Sequence, residues 1–182
     1  MVLRLKKFYD LSMQEYVTEA IVLHKEPVRD ADARYSFLTK KFGKVVGKAT
    51  SSRKITSKLA GHLEPGTRVT ARFVERGGTQ IVDALKSGKI AVNPADLRLL
   101  GTLLAEGDQE PLLWEKMTED EFSWRKILAL LGWDPQNAAC ERCGKAAAMF
   151  SVARQHFFCA SCASKASKFD HDELILVDNA QV

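Results

Sequence analysis

The pattern of apolar and polar positions along the first ninety residues reads as β. Val17 to Lys25 is dense in β-branched and aliphatic residues, and Arg34 to Thr39 alternates as a half-buried strand does. Pro27, Asp30 and Asp32 supply loop chemistry between them. Lys40-Lys41-Phe42-Gly43 predicts a turn into a third strand, Lys44 to Ala49, with Gly47 as a bulge or sharp bend. A hairpin follows, in which Val69, Ala71 and Phe73 alternate with Thr70, Arg72 and Val74 up to Gly77-Gly78, and Thr79 to Leu85 returns. Between the third and fourth strands, Lys58 to Leu63 predicts one or two helical turns stopped by Pro65-Gly66. Five short strands with a short helix in that place is the order of an OB-fold barrel.

From Asn93 the period changes. Asn93 predicts a cap for a helix opened by Pro94, with Leu97, Leu100, Leu103 and Leu104 on one face until Gly107. A capping box, Thr118-x-x-Glu121, predicts a second helix that carries Trp124, Ile127, Leu128 and Leu131 and ends at Gly132. The acidic run Glu119-Asp120-Glu121 then falls at a helix start, where the macrodipole favours it. The fold class is therefore α+β. Residues 1–15 form an N-terminal extension, 16–90 an OB-fold β-barrel, and 91–182 a small helical domain with a metal element at 139–163.

That element rests on cysteine spacing. Cys140-x2-Cys143 and Cys159-x2-Cys162 are separated by fifteen residues, enough for a hairpin that returns the chain to a shared metal. Gly144 suits the tight knuckle turn. Two disulfides are the alternative, but no export signal accompanies the cysteines. Four thiolates leave no open coordination position, so one structural Zn2+ is expected. His156, beside Phe157 and Phe158, reads as a hairpin residue.

Charge sharpens the division. Residues 1–90 hold 18 Lys/Arg against 9 Asp/Glu, and residues 91–182 hold 9 against 14, which splits a net +4 into about +9 and −5. Clustered positive charge attracts a polyanion by counterion release, although a solvated basic face would have the same composition. The nucleic-acid-binding candidates are Arg34, Lys44, Lys48, Arg53, Lys54 and Lys58, of which Arg53, Lys54 and Lys58 lie in a stretch without an acid from Phe42 through Leu63. Tyr35, Phe37, Phe42 and Phe73 are rings that either stack on bases or pack the core. No P-loop, nucleophile elbow or H-E-x-x-H pair is present, so the expectation is a non-enzyme. No apolar run approaches bilayer length, and the expected location is cytoplasmic.

With these pieces in place, the chain resembles the bacterial recombination mediator family RecO. Ala20-Ile21-Val22-Leu23, Asp30, Asp32, Leu38-Thr39 and Gly43-Lys44 resemble the family's opening strands. Ala49, Arg53-Lys54, Ser57-Lys58, Ala60-Gly61, Leu63 and Pro65 resemble its basic loop and closing helix. The resemblance is continuous over about residues 17–90 and resumes at the paired cysteines, which many members carry. It implies a DNA repair and recombination protein that binds single- and double-stranded DNA, anneals complementary strands, and works with RecR and the single-strand-binding protein SSB to load RecA. Arg53, Lys54, Lys58 and Lys44 carry over as DNA contacts. Thr50 and Ser51 depart from the family's basic residue and glycine, and the short helical region before Cys140 shrinks the part that holds the SSB tail. A different class of function is a zinc-ribbon module that binds a protein, with an auxiliary OB-fold that meets RNA or a transcription or translation partner.

Overall fold

The structure, a computed structural model, describes residues 13–28, 31–52, 54, 57–119, 121–165 and 173–177. Five strands come first: β1 (Gln14–Pro27), β2 (Ala33–Thr39), β3 (Gly43–Ala49), β4 (Thr67–Glu75) and β5 (Thr79–Lys89). Their pairings run round a ring in the order β1-β2-β3-β5-β4 and back to β1. Four seams are antiparallel, whereas β3 meets β5 through the single parallel pair Lys48↔Gln80, so the ring is thin at that seam. This is the strand order and partly open form of an OB-fold.

Alternation sets the faces. Tyr35, Phe37, Val69, Ala71 and Phe73 point inward and are fully buried with Ala20 and Val22. Three of the four rings considered for base stacking are therefore core, and only Phe42 is half-buried. The run Ala20 to Leu23 is buried at every position because two cores meet across β1. Ala20 and Val22 face the ring interior, while Ile21 and Leu23 join Leu38 beneath a helix. A strand covered on both faces reads as a continuous apolar run.

Gly47 has a different reason from the bulge expected of it. The β2–β3 register is unbroken past it, and a Cβ there would lie 3.1 Å from Ile81 Cγ1, so the glycine admits β5 at the thin seam. The one or two helical turns expected at Lys58–Leu63 are present only as turns, with Leu63 N–H reaching Leu59 O in a single α-type bond. Ala60 N–H bonds Ser57 O and His62 N–H bonds Leu59 O, a chain of turns that never becomes a helix with Gly61 in its middle and Pro65 close behind. Leu63 and Leu59 from these turns pack against the ring core.

Helix α1 (Pro94–Leu103) begins as read, with Asn93 Oδ1 accepting from Ala95 N–H at 2.9 Å and Pro94 in the first turn. Leu97, Leu100 and Leu104 cover the outer face of β1 and β2, while Leu99 turns to another cluster and Leu103 is only half-buried. Helix α2 (Pro111–Glu119) was not anticipated. It contains Thr118, whose hydroxyl donates back to Trp114 O at 2.9 Å and caps nothing. Helix α3 (Trp124–Leu130) starts after Ser123, whose side chain makes no capping bond, and Trp124 Nε1 ties it to Asp96 of α1 at 2.9 Å. Glu119 thus ends a helix instead of opening one, and Asp120 lies outside the described residues.

Beyond Trp133 comes a small sheet in the order β7-β6-β8, made of β6 (Met149–Ser151), β7 (His156–Phe158) and β8 (Leu174–Leu176), with the short helix α4 (Ala160–Ala163) between β7 and β8. Phe150, Val152, Ile175 and Val177 pack with Leu99 and Leu128, which fixes the sheet to α1 and α3. Among the described residues no helix is long and apolar enough to cross a membrane.

Candidate metal centre and nucleic-acid interface

The four cysteines converge as their spacing requires. The first knuckle turns at Cys140, where Gly144 N–H bonds Cys140 O at 2.8 Å and Gly144 takes φ 69, a left-handed value open to glycine. In the second, Cys162 N–H and Ala163 N–H both bond Cys159 O as α4 begins. Glu141 N–H to Phe157 O and Ala148 N–H to Phe158 O, each 2.9 Å, clamp the first knuckle to β7 and so bring the pairs together. The four Sγ atoms lie within 4.8 Å of one another, and Cys143 Sγ is 3.6 Å from Cys159 Sγ. All four cysteines are free, so the two-disulfide alternative is not realised.

These sulfurs fit zinc. A tetrahedral ion with Zn–S bonds of about 2.3 Å sets sulfurs about 3.8 Å apart, close to the 3.6 Å between Cys143 and Cys159 Sγ. The ionisation pattern fits as well. The Ser161 hydroxyl at 3.2 Å and the Cys162 N–H pull the Cys159 thiol down to about 6, and backbone N–H groups, that of Cys159 first, lower Cys140. Cys162 is pushed up to about 12 because its proton is shared with the sulfurs of Cys159 and Cys143. Four sulfurs resist carrying four negative charges without a cation, and a divalent ion removes that conflict. His156 is exposed in the hairpin, 4.0 Å from Glu141, and is no part of the sulfur cluster.

The cations of the ring differ in their partners, and Lys41, Arg76, Lys86 and Lys89 are exposed with no ion-pair partner among the described residues. The carboxylates on the outer face of β1 neutralise three others: Glu19 meets Lys40, from the turn after β2, at 2.9 Å and Arg68 of β4 at 4.0 Å, and Glu15 meets Arg72 of β4 at 3.1 Å. On the outer face of β2 and β3, Lys48 and Lys44 are engaged, and among the described residues the Arg34 side chain has no ion-pair or hydrogen-bond partner. Arg34 and Lys48 are cross-strand partners, and Lys44 lies opposite Leu38 further along. Lys48 Nζ reaches Asp32 at 2.7 Å and Lys44 Nζ donates to Leu104 O at 3.0 Å. Lys44 thereby satisfies a carbonyl at the α1 C-terminus, where a cation also suits the macrodipole. Arg34, Lys54 and Lys58 are exposed with no ion-pair partner among the described residues.

The loop carrying Lys54 and Lys58 leaves β3 at its Arg34 end. Asp32 Oδ1 accepts from Ser51 N–H at 2.8 Å, and Tyr35 bonds Ser52 at 3.2 Å. Arg53 lies outside the described residues. Sequence reasoning missed His24 and Arg98, which line a cleft of about 350 Å³ together with Arg34 and Lys44. Arg98 belongs to α1, and no local pattern links it to strands sixty residues earlier.

An OB-type ring, buttressed on one outer face by helices and followed by a four-cysteine metal element, defines the class of protein. Comparison with known proteins supplies the family. Residues 13–91, which enclose all five ring strands, match the family described as Recombination protein O N terminal. The chain is 30% identical to a DNA repair protein RecO of Desulforudis audaxviator over 179 aligned positions, covering 82% of this chain and 71% of that protein. It is 29% identical over 161 positions to a DNA repair protein RecO of Dehalococcoides mccartyi strain BAV1, covering 72% and 62%. The chain belongs to the RecO family, and it spans between three fifths and three quarters of the length of these relatives.

Proposed function

We propose that this chain is a non-enzymatic DNA-binding protein of recombinational repair. It captures single-stranded DNA by its phosphates, anneals complementary strands, and acts with RecR to load RecA on SSB-coated DNA. The observation that carries this reading is the unpaired set Arg34, Lys54 and Lys58 at one end of the β2–β3 ribbon, in a ring of the RecO family. Arg53 joins the set by its place in the sequence, while Lys44 and Lys48 contribute field from their bonded positions. Annealing needs two backbones neutralised with base edges left free, and a basic face without sequence readout does that. Cys140, Cys143, Cys159 and Cys162 would hold one Zn2+, which supplies cross-linking of the small sheet and no chemistry.

The test is strand annealing of complementary oligonucleotides, bare and SSB-coated. Annealing faster than the spontaneous rate, lost in Arg34→Ala/Lys54→Ala/Lys58→Ala, supports the reading. An unchanged rate with wild-type protein refutes it.

A further inference from the structure

The cleft between the outer face of β1–β3 and α1 has walls of unusual charge. Arg34 stands on β2 and Lys44 on β3, Arg98 faces them from α1, and His24 comes from β1. Arg34 and Arg98 have no ion-pair partner among the described residues, and Lys44 spends one of its three N–H bonds on Leu104 O. Glu26, paired in register with Arg34, is the one acid on the rim. On the floor, the hydroxyl of Ser36 is buried without a hydrogen-bond partner. The lining of the cleft thus carries Arg34, Lys44 and Arg98 against the single carboxylate of Glu26, a balance of charge that favours an anion.

We propose that this cleft is a phosphate-binding pocket, taking one phosphomonoester or phosphodiester group between Arg34 and Arg98, with Lys44 beside it. Two planar guanidinium groups match the tetrahedral oxygens of phosphate through paired N–H bonds. A space of about 350 Å³ accommodates a phosphate with its sugar and excludes a folded partner. The proposal rests on the DNA-binding reading only for the source of the phosphate. The pocket itself stands on these residues.

The experiment uses the full zinc-loaded chain with two probes, inorganic phosphate and an oligothymidylate, titrated into wild type, Arg98→Ala, Arg98→Lys and Arg34→Ala. Arg98 and Arg34 sit on opposite walls, and equal thermal melts confirm that the variants are folded. Wild type is expected to bind inorganic phosphate, each alanine variant to lose about tenfold, and Arg98→Lys to recover part of that loss. If the oligonucleotide also binds less tightly to Arg98→Ala, with its salt slope reduced by about 0.7, the phosphate is one of the strand's own. If only inorganic phosphate is affected, the pocket stands and takes a free phosphate or nucleotide. If wild type binds phosphate but no oligonucleotide, the functional reading fails while the pocket survives. Phosphate binding equal in wild type and both alanine variants, or no phosphate binding by wild type, overturns the pocket.

Discussion

Replacing Gly43 by alanine separates two costs that glycine substitutions usually mix. Gly43 has φ 63, and a Cβ built on it would lie 1.9 Å from the Asp108 carbonyl oxygen and 2.4 Å from its carbon. Both are backbone atoms, and ordinary contact begins at 3.4 Å, so the segment after α1 must retreat by about 1.5 Å. That retreat strains the bond from Gly107 N–H to Lys44 O, now 3.0 Å, and the Lys44↔Glu106 bridge around it. A left-handed alanine costs about 1–2 kcal/mol, and a lost backbone hydrogen bond about 1 kcal/mol. With some loss of the Lys44 ammonium bond to Leu104 O, the total comes to about 3–4 kcal/mol. Gly77 is the control, since its φ is 64 and a Cβ there meets nothing within 4 Å. Gly77→Ala should therefore cost only about 1–2 kcal/mol. Urea unfolding followed by far-ultraviolet circular dichroism measures both. Equal destabilisation of the two variants would refute the packing of residues 104–110 against β3.

Other predictions follow from the same packing and chemistry. Leu100→Ala empties a fully buried position between α1, β1 and α2, and should cost about 2–5 kcal/mol in the same urea assay, whereas a loss below about 1 kcal/mol would contradict the shared core. Mass spectrometry of native protein should find one zinc per chain, and chelation should speed tryptic cleavage at Arg142, Arg154 and Lys165 while the β-ring spectrum persists. Four alkylatable thiols before chelation would count against the site. Burial, with Glu75 nearby, pushes the Tyr16 phenol up to about 12, so the fold favours its neutral form. The stability this contributes is complete below pH 10 and lost as pH rises towards 12. Tyr16→Phe should flatten the fall in melting temperature over that window, and an unaltered profile would remove Tyr16 as its source.

What the sequence disclosed depended on how local each signal is. Alternation in Arg34–Thr39 and Val69–Val74 is a property of single strands, and the paired knuckles at Cys140 and Cys159 are properties of four-residue turns, so both were legible. Helix α2 was hidden by the Thr118-x-x-Glu121 pattern, which imitates a cap, although Pro111 followed by Leu113, Trp114 and Met117 carried the right spacing. A count of cations gives their number and not their partners. Lys48 is tied to Asp32 and Arg72 to Glu15 only because the strands lie in register, and that register is tertiary. The cleft was illegible for the same reason, because Arg98 comes to line the same space as Arg34 only after α1 docks through Leu97 and Leu100.

The central claim is that exposed, unpaired cations at one end of the β2–β3 ribbon hold single-stranded DNA by its phosphates. Titration of an oligothymidylate over a range of salt concentrations, comparing wild type with Arg34→Ala/Lys54→Ala/Lys58→Ala, tests it most directly. The account predicts tight binding in dilute buffer and a slope of log affinity against log salt that is shallower by about 2 in the triple variant, near 0.7 for each lost phosphate contact. The same affinity and slope in both proteins, or no binding by wild type in dilute buffer, would contradict it.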